Sequence, residues 1–599
     1  MDTANGAITI TASGSLTATD VVSTTDSDSN DITLTGVGIS ATLINAGTSA
    51  GDVVLDGGSG SISQDGVSDT DDVVADSLSA TSTGAIDLDV AVVSLTLNSS
   101  GSVTMTESDG LQFAGASSTD SLSLTTGGSL SNAAAASIAV ENLASLSGTS
   151  IDLGGETGDT LNAGTLTFAS SGAVVLSEDS DTVLAGTNTA SSLDLDSTGS
   201  VTDADTATIN VVNLADFAGT SITLGDQTGD DFNAKTLAFA SAGAVAITED
   251  SDMAVVTSSA DGLNLNAGTN DITQTGTITA GATSLTGSAI TLGSANALGA
   301  ITVTSGDGDV SITEANDVLV ASITRSGTSN SVSLVATSGN ITDDSDDAED
   351  IVSVYTLNAT ATGSIALDTN VVETSLTSSS SGTVTIDETN AVTLTSVSAQ
   401  NGLITVEAGG EITASSVTST SDGVTLTSEG GGIALGTIAA STTVTLNAAS
   451  AVTDADADAA DADSTTNVTA NALTITGDQA VTSIETNVAT LDLASAATSI
   501  TESDGLTLAD SELSGQFDLT AGGAIALNNL NAGTNAVNIS AGGEISDGND
   551  DTAGNNVTAG VLTITGDQAV TGIETAVTTL DLATAATSII ETDGLTLAD

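Results

Sequence analysis

The sequence predicts an all-β fold, a parallel β-solenoid of coils about twenty residues long with longer inserted loops. Three observations predict it. Short runs alternate apolar and polar residues, the runs recur at a spacing of twenty, and a chain of 599 residues contains no proline.

The alternation comes first. Thr383-Val384-Thr385-Ile386, Leu403-Ile404-Thr405-Val406, Gly423-Val424-Thr425-Leu426 and Thr443-Val444-Thr445-Leu446 align at a spacing of twenty. Positions 384, 404, 424 and 444 are β-branched and apolar, and 386, 406, 426 and 446 are apolar. Positions 385, 405, 425 and 445 between them are all Thr. Period-two alternation is the mark of a strand with one buried face. A second strand follows in each unit. Val392, Leu394 and Val397 align with Ile412, Ala414 and Val417, and, after a one-residue slip, with Ile433, Leu435 and Ile438. Later, Phe517-Asp518-Leu519-Thr520 aligns with Val537-Asn538-Ile539-Ser540 at the same spacing.

The period decides the architecture. A twenty-residue unit cannot bury its own apolar face, but stacked units can, each ~4.8 Å above the last. Roughly 25 such coils would give a length on the order of 120 Å. An immunoglobulin-like array would need periods near ~100 residues and core aromatics. The missing proline fits the same reading, because proline removes an amide donor and is excluded from central strands. At ordinary usage of ~5% there would be roughly thirty.

Longer repeats sit on this period. Residues 142–181 recur at 213–252 with 26 of 40 identical, and 468–510 recur at 557–599 with 35 of 43 identical. Residues 1–599 read as one continuous β-solenoid segment carrying these duplications. Bulging loops are expected where spacings lengthen, as at Asp454-Ala455-Asp456-Ala457-Asp458-Ala459-Ala460-Asp461-Ala462-Asp463. Asp454 falls where Leu394 stood, so inward packing should stop there. Asp599 aligns with Asp510, which continues into Ser511-Glu512-Leu513, so the chain is expected to be a segment of a longer repeat protein.

Composition excludes much chemistry. Two residues are basic and 78 acidic, a net charge of −76, and His, Cys and Trp are absent. Imidazole or thiolate metal sites and nucleophile–imidazole pairs are therefore excluded. Two cations, Lys235 and Arg325, cannot neutralise a nucleic-acid backbone, so no nucleic-acid partner is expected. Both read as lone surface cations. Tyr355 and Phe168, Phe217, Phe232 and Phe239 read as core or end-of-strand packing. No run of 18 apolar residues exists, so no membrane insertion is expected in this segment.

The units from Gly382-Thr383-Val384-Thr385-Ile386 to Gly402-Leu403-Ile404-Thr405-Val406 resemble the coils of filamentous-haemagglutinin-type adhesins. The likeness is one of pattern, clearest at 382–452 and 515–546. It implies a right-handed parallel β-helix and a structural, adhesive role at the cell surface or outside the cell, for an unknown surface or cell ligand. The secretion-signal domain of such proteins is not matched, and the resemblance transfers no site residues.

Acidic turns recur after strands: Glu107-Ser108-Asp109, Glu178-Asp179-Ser180-Asp181, Glu249-Asp250-Ser251-Asp252, Glu502-Ser503-Asp504 and Glu591-Thr592-Asp593. Two readings stand. They are solvated corners, or Glu178, Asp179, Asp181, Glu249, Asp250 and Asp252 contact calcium, which takes six to eight oxygens. The runs Asp343-Asp344-Ser345-Asp346-Asp347 and Asp547-Gly548-Asn549-Asp550-Asp551 are read the same way. Paired carboxylates could hydrolyse a glycosidic bond. With 78 of them any single pair carries no information, and no enzyme is expected. The expected function is an adhesin-like stalk segment of a very large bacterial surface protein. The alternatives are a filament or surface layer built by end-to-end or lateral self-association, a calcium-dependent binding module, and a polysaccharide-degrading enzyme.

Overall fold

The computed structural model describes residues 1–599 except 65, 67–70, 326–329, 345–349, 456–464, 550–553, 593 and 599. Among the described residues regular structure is strand throughout, with no helix. Strands of successive coils pair in parallel and make a β-solenoid of about 28 turns. Several coils fall short of twenty residues, as where Ile86 pairs with Val103. The chain divides into two compact units, Met1–Ser288 and Ala289–Asp599.

In the first unit, Val103 stacks on Leu122, Leu122 on Ala144, Ala144 on Leu166 and Leu166 on Leu184. Two residues along, Met105, Leu124, Leu146 and Phe168 form a second inward ladder. The duplicated block repeats this with Leu195, Phe217 and Phe239. The rings of Phe217 and Phe232 meet at 6.1 Å, tilted by 55°. All six phenylalanines are buried. Hydrogen bonds run from coil to coil while aliphatic side chains fill the interior, so each coil depends on its neighbours for both.

The second unit holds the ladder that the twenty-residue spacing predicts. Val384, Ile404, Val424, Val444, Leu473 and Leu491 follow one another in register. Thr385, Thr405, Thr425 and Thr445 are in register between them. On the next strand Val392, Ile412 and Ile433 pair in turn, as do Leu394, Ala414 and Leu435, so the one-residue slip is real. Coils approach closely at Gly542, where a Cβ would lie 2.2 Å from the Gly522 carbonyl oxygen.

A strand ends where the first lengthened spacing begins. Asp454 pairs with Leu435 and ends its strand. Thirteen residues on, Asn467 is fully buried, and its Nδ2 donates to Asp454 Oδ1 at 2.9 Å and to the Leu435 and Gly436 carbonyls. Its Oδ1 accepts the Glu485 N–H at 2.8 Å. Asn556 repeats the construction with Asp547, the Leu527 carbonyl and the Glu574 N–H. Most of the Asp454–Asp463 run, and Asp550 and Asp551, lie outside the described residues.

Two single-residue expectations change. Arg325 is buried, at 4% exposure, where a surface cation was expected. It pairs with Ser305 at the end of an inward-facing strand position, and its guanidinium donates to the Ser331 carbonyl at 2.9 Å and to that of Gly308. Asp309 and Asp307 face it. Tyr355 is 41% exposed, where packing was expected. The strand register slips between Val352 and Val354, with Ser353 at φ 61°, and the slip turns Tyr355 outward.

Candidate functional site

The acidic turns are built from an accounting problem in the backbone. In a parallel ladder each N–H needs an acceptor on an adjoining coil. The long strand Ile86–Ser99 runs past a coil split by a turn into Ser102–Glu107 and Leu111–Phe113. Ile365–Ser378 faces Val384–Glu388 and Val392–Ala399 in the same way. Val481–Ser495 faces Thr498–Glu502 and Leu506–Leu508. At each gap a glutamate side chain supplies the acceptor. The Val92 N–H donates to Glu107 Oε2 at 2.9 Å, Val371 to Glu388 Oε2 at 2.9 Å, and Val488 to Glu502 Oε2 at 3.0 Å. Ala163 donates to Glu178 at 3.1 Å, Ala234 to Glu249 at 2.8 Å, and Leu298 to Glu314 at 2.9 Å.

These six glutamates are buried, none more than 2% exposed. Burial disfavours the charged form. It pushes Glu107, Glu178, Glu249 and Glu314 up to about 7, against the pull of their N–H donors. Burial also raises Glu388, although Thr369 Oγ1, the Val371 N–H and the Asn390 N–H all donate to it. One carboxyl oxygen each of Glu178, Glu249 and Glu314 is buried with no hydrogen-bond partner.

The structure therefore splits the predicted acidic turns. Glu178 and Glu249 point inward, while Asp179, Asp181, Asp250 and Asp252 are exposed. Asp179 accepts the Leu161 N–H at 3.0 Å and Asp250 the Phe232 N–H at 3.2 Å. Asp252 accepts the Asp271 N–H at 3.1 Å. Asp181 accepts both the N–H and the Oγ of Ser200, which hold it below the usual carboxylate range. These carboxylates cap backbone groups of neighbouring coils and do not gather at one point. Asp593 and 345–347 of the other acidic runs lie outside the described residues. Glu314 and Glu388 escaped the motif search, although a signal for them existed. Val310, Ile312 and Glu314 occupy successive inward positions, as do Val384, Ile386 and Glu388.

A group that the sequence did not single out does converge. One oxygen each of Asp203, Asp226 and Asp230 lies within 4.8 Å of the others. This is the set of described residues with the donor chemistry for a hard cation. Burial pushes Asp203 up to about 6, with Asp230 and Asp226 adding to the shift. The 71-residue offset of the duplication at 142–181 and 213–252, carried ten residues further toward the N-terminus, supplies the comparison. Asn132 stands 71 residues before Asp203, and its Nδ2 donates to Asp159 Oδ2 at 2.5 Å.

Open grooves lie against two of the buried glutamates. Ala163 and Ser180, both donors to Glu178, line one of about 470 Å³ together with Asp120, Glu141 and Asn162. Ala234 and Ser251 line its counterpart of about 540 Å³ beside Glu249, with Lys235 in place of Gly164. Among the described residues no helix is long and apolar enough to cross a membrane. Compared with family models, curated proteins and solved structures, the chain matches none.

Proposed function

We propose that this chain is a non-catalytic spacer, an adhesin-like stalk segment of a large bacterial cell-surface or secreted repeat protein. One observation carries the reading: the unbroken inward ladder Val384–Ile404–Val424–Val444–Leu473–Leu491. A stack whose every coil buries its aliphatic face on the next resists bending and lengthens by repetition. The Thr rows and the net charge of −76 keep its flanks hydrated and repel copies of itself. Its work would be mechanical, holding a distal binding region away from the cell or presenting a repetitive face for weak multivalent attachment.

Antibody labelling of intact source cells tests the location. Label on unpermeabilised cells supports the reading, and label only after permeabilisation overturns it. Beads coated with the purified chain test attachment. Electron micrographs in which the purified chain joins into filaments would favour an assembling surface layer instead.

A further inference from the structure

The buried glutamates have a property that a spacer does not require. Each fills a hydrogen-bonding gap between two coils with an ionisable group. A neutral amide at the same place would accept the N–H equally well. Asn467 and Asn556 do this at the neighbouring corners, accepting the N–H groups of Glu485 and Glu574.

We propose that the corner glutamates, Glu314 and Glu388 foremost, act as proton-operated clasps between coils, so that the solenoid is tightest in mildly acidic water and loosens as the medium turns alkaline. The geometry carries this. Glu314 and Glu388 are fully buried. Glu314 holds the Leu298 N–H with one oxygen, and its other oxygen is buried without a partner. Charged groups facing these glutamates are themselves acidic: Asp387 at Glu388, Asp109 at Glu107, Asp179 at Glu178, and Asp250 and Asp252 at Glu249. At Glu314 burial alone does the work. Lys235 lines the groove near Glu249, and the charged neighbours that shift these glutamates are all acidic. At Glu314, Glu178 and Glu249 losing the proton thus leaves a buried charge with one oxygen unpaired, and at Glu388 it leaves a buried charge beside Asp387.

The direction follows from linkage. The folded-state values near 7 lie above the ordinary glutamate value of 4.5. The folded chain then holds these protons more tightly than the unfolded chain. The stability they contribute is complete below about 4.5, falls as pH rises, and is gone above about 7. The composition makes this visible. With no His and no Cys in the chain, the raised carboxyls stand out between pH 6 and 8.

Proton counting on the full chain tests the proposal. Titrated from pH 8 to 6, the native protein should take up several more protons than the same chain in urea, about one each for Glu107, Glu178, Glu249 and Glu314. Melting temperature should fall from pH 5.5 to 8, and exchange of the Leu298 and Val371 amides should quicken beyond its ordinary base catalysis. Glu314→Gln should remove one proton from the window, and Glu314→Gln and Glu388→Gln should each abolish the extra quickening at its own amide. Equal proton uptake by native and unfolded chain overturns the proposal, as does unchanged amide behaviour in the glutamine variants. Should those variants fail to fold, the proton count on the parent decides.

Discussion

Asn467 Nδ2 and Asp454 Oδ1 meet at 2.9 Å just before one copy of the 43-residue duplication, and Asn556 Nδ2 and Asp547 Oδ1 meet at the same distance just before the other. The partners are thirteen residues apart in the first pair and nine in the second. The contact, a neck closing the intervening segment, is kept while the segment's length changes. The asparagine also satisfies two carbonyls and one N–H of the flanking coils, so the stack closes over the gap as though the insertion were absent.

Asn467→Leu should therefore unpin the neck. It removes a buried amide that bonds to both neighbouring coils and strands their polar groups. A loss of roughly 2–4 kcal/mol is expected, since each unsatisfied buried polar group costs ~1–3 kcal/mol. Urea melts check this, and exchange at the Glu485 amide should rise first. A variant with unchanged urea midpoint would show that the neck bears no load.

Ile404→Asp should break the aliphatic ladder. Ile404 is fully buried between Val384 and Val424. An uncompensated charge there costs at least ~3 kcal/mol. The damage should spread to the adjoining coils, because they share both ladder and hydrogen bonds. Far-ultraviolet circular dichroism against temperature reads it, and a retained strand signal with unaltered melting would contradict the stacking.

Asp203→Asn should stabilise the first unit at neutral pH. Asp203 is raised to about 6, above its ordinary 3.8, so its contribution is complete at low pH and lost as pH rises through 6. Above that, three carboxylates face one another. An amide at 203 would donate to Asp230 as Asn132 does to Asp159. The expected gain at pH 7.5 is on the order of 1 kcal/mol, the worth of one hydrogen bond. Millimolar calcium should raise the parent's melting temperature more than the variant's if a cation occupies the three oxygens. Low salt with chelator should lower both, because ~10 Å screening at 0.1 M no longer damps the chain's charge.

The sequence by itself determined the coil, the register and the sites of insertion. Val384, Ile404, Val424 and Val444 line up because a stack repeats the same side chain at the same height, and that repetition is written along the chain. Parity even pointed Glu314 and Glu388 inward, two residues beyond Ile312 and Ile386. Only the tertiary structure decided that they stay there. Glu178 and Asp179 are adjacent carboxylates, yet one is buried and the other exposed. Alternation turns Glu178 inward after Val174 and Leu176, and the Ala163 N–H, fifteen residues earlier on another coil, gives the buried carboxyl a donor there. Arg325 went inside for the mirrored reason, because its donors meet carbonyls of neighbouring segments. A carboxylate's partner depends on what the adjoining coil leaves unpaired, and that is fixed only when the coils are stacked.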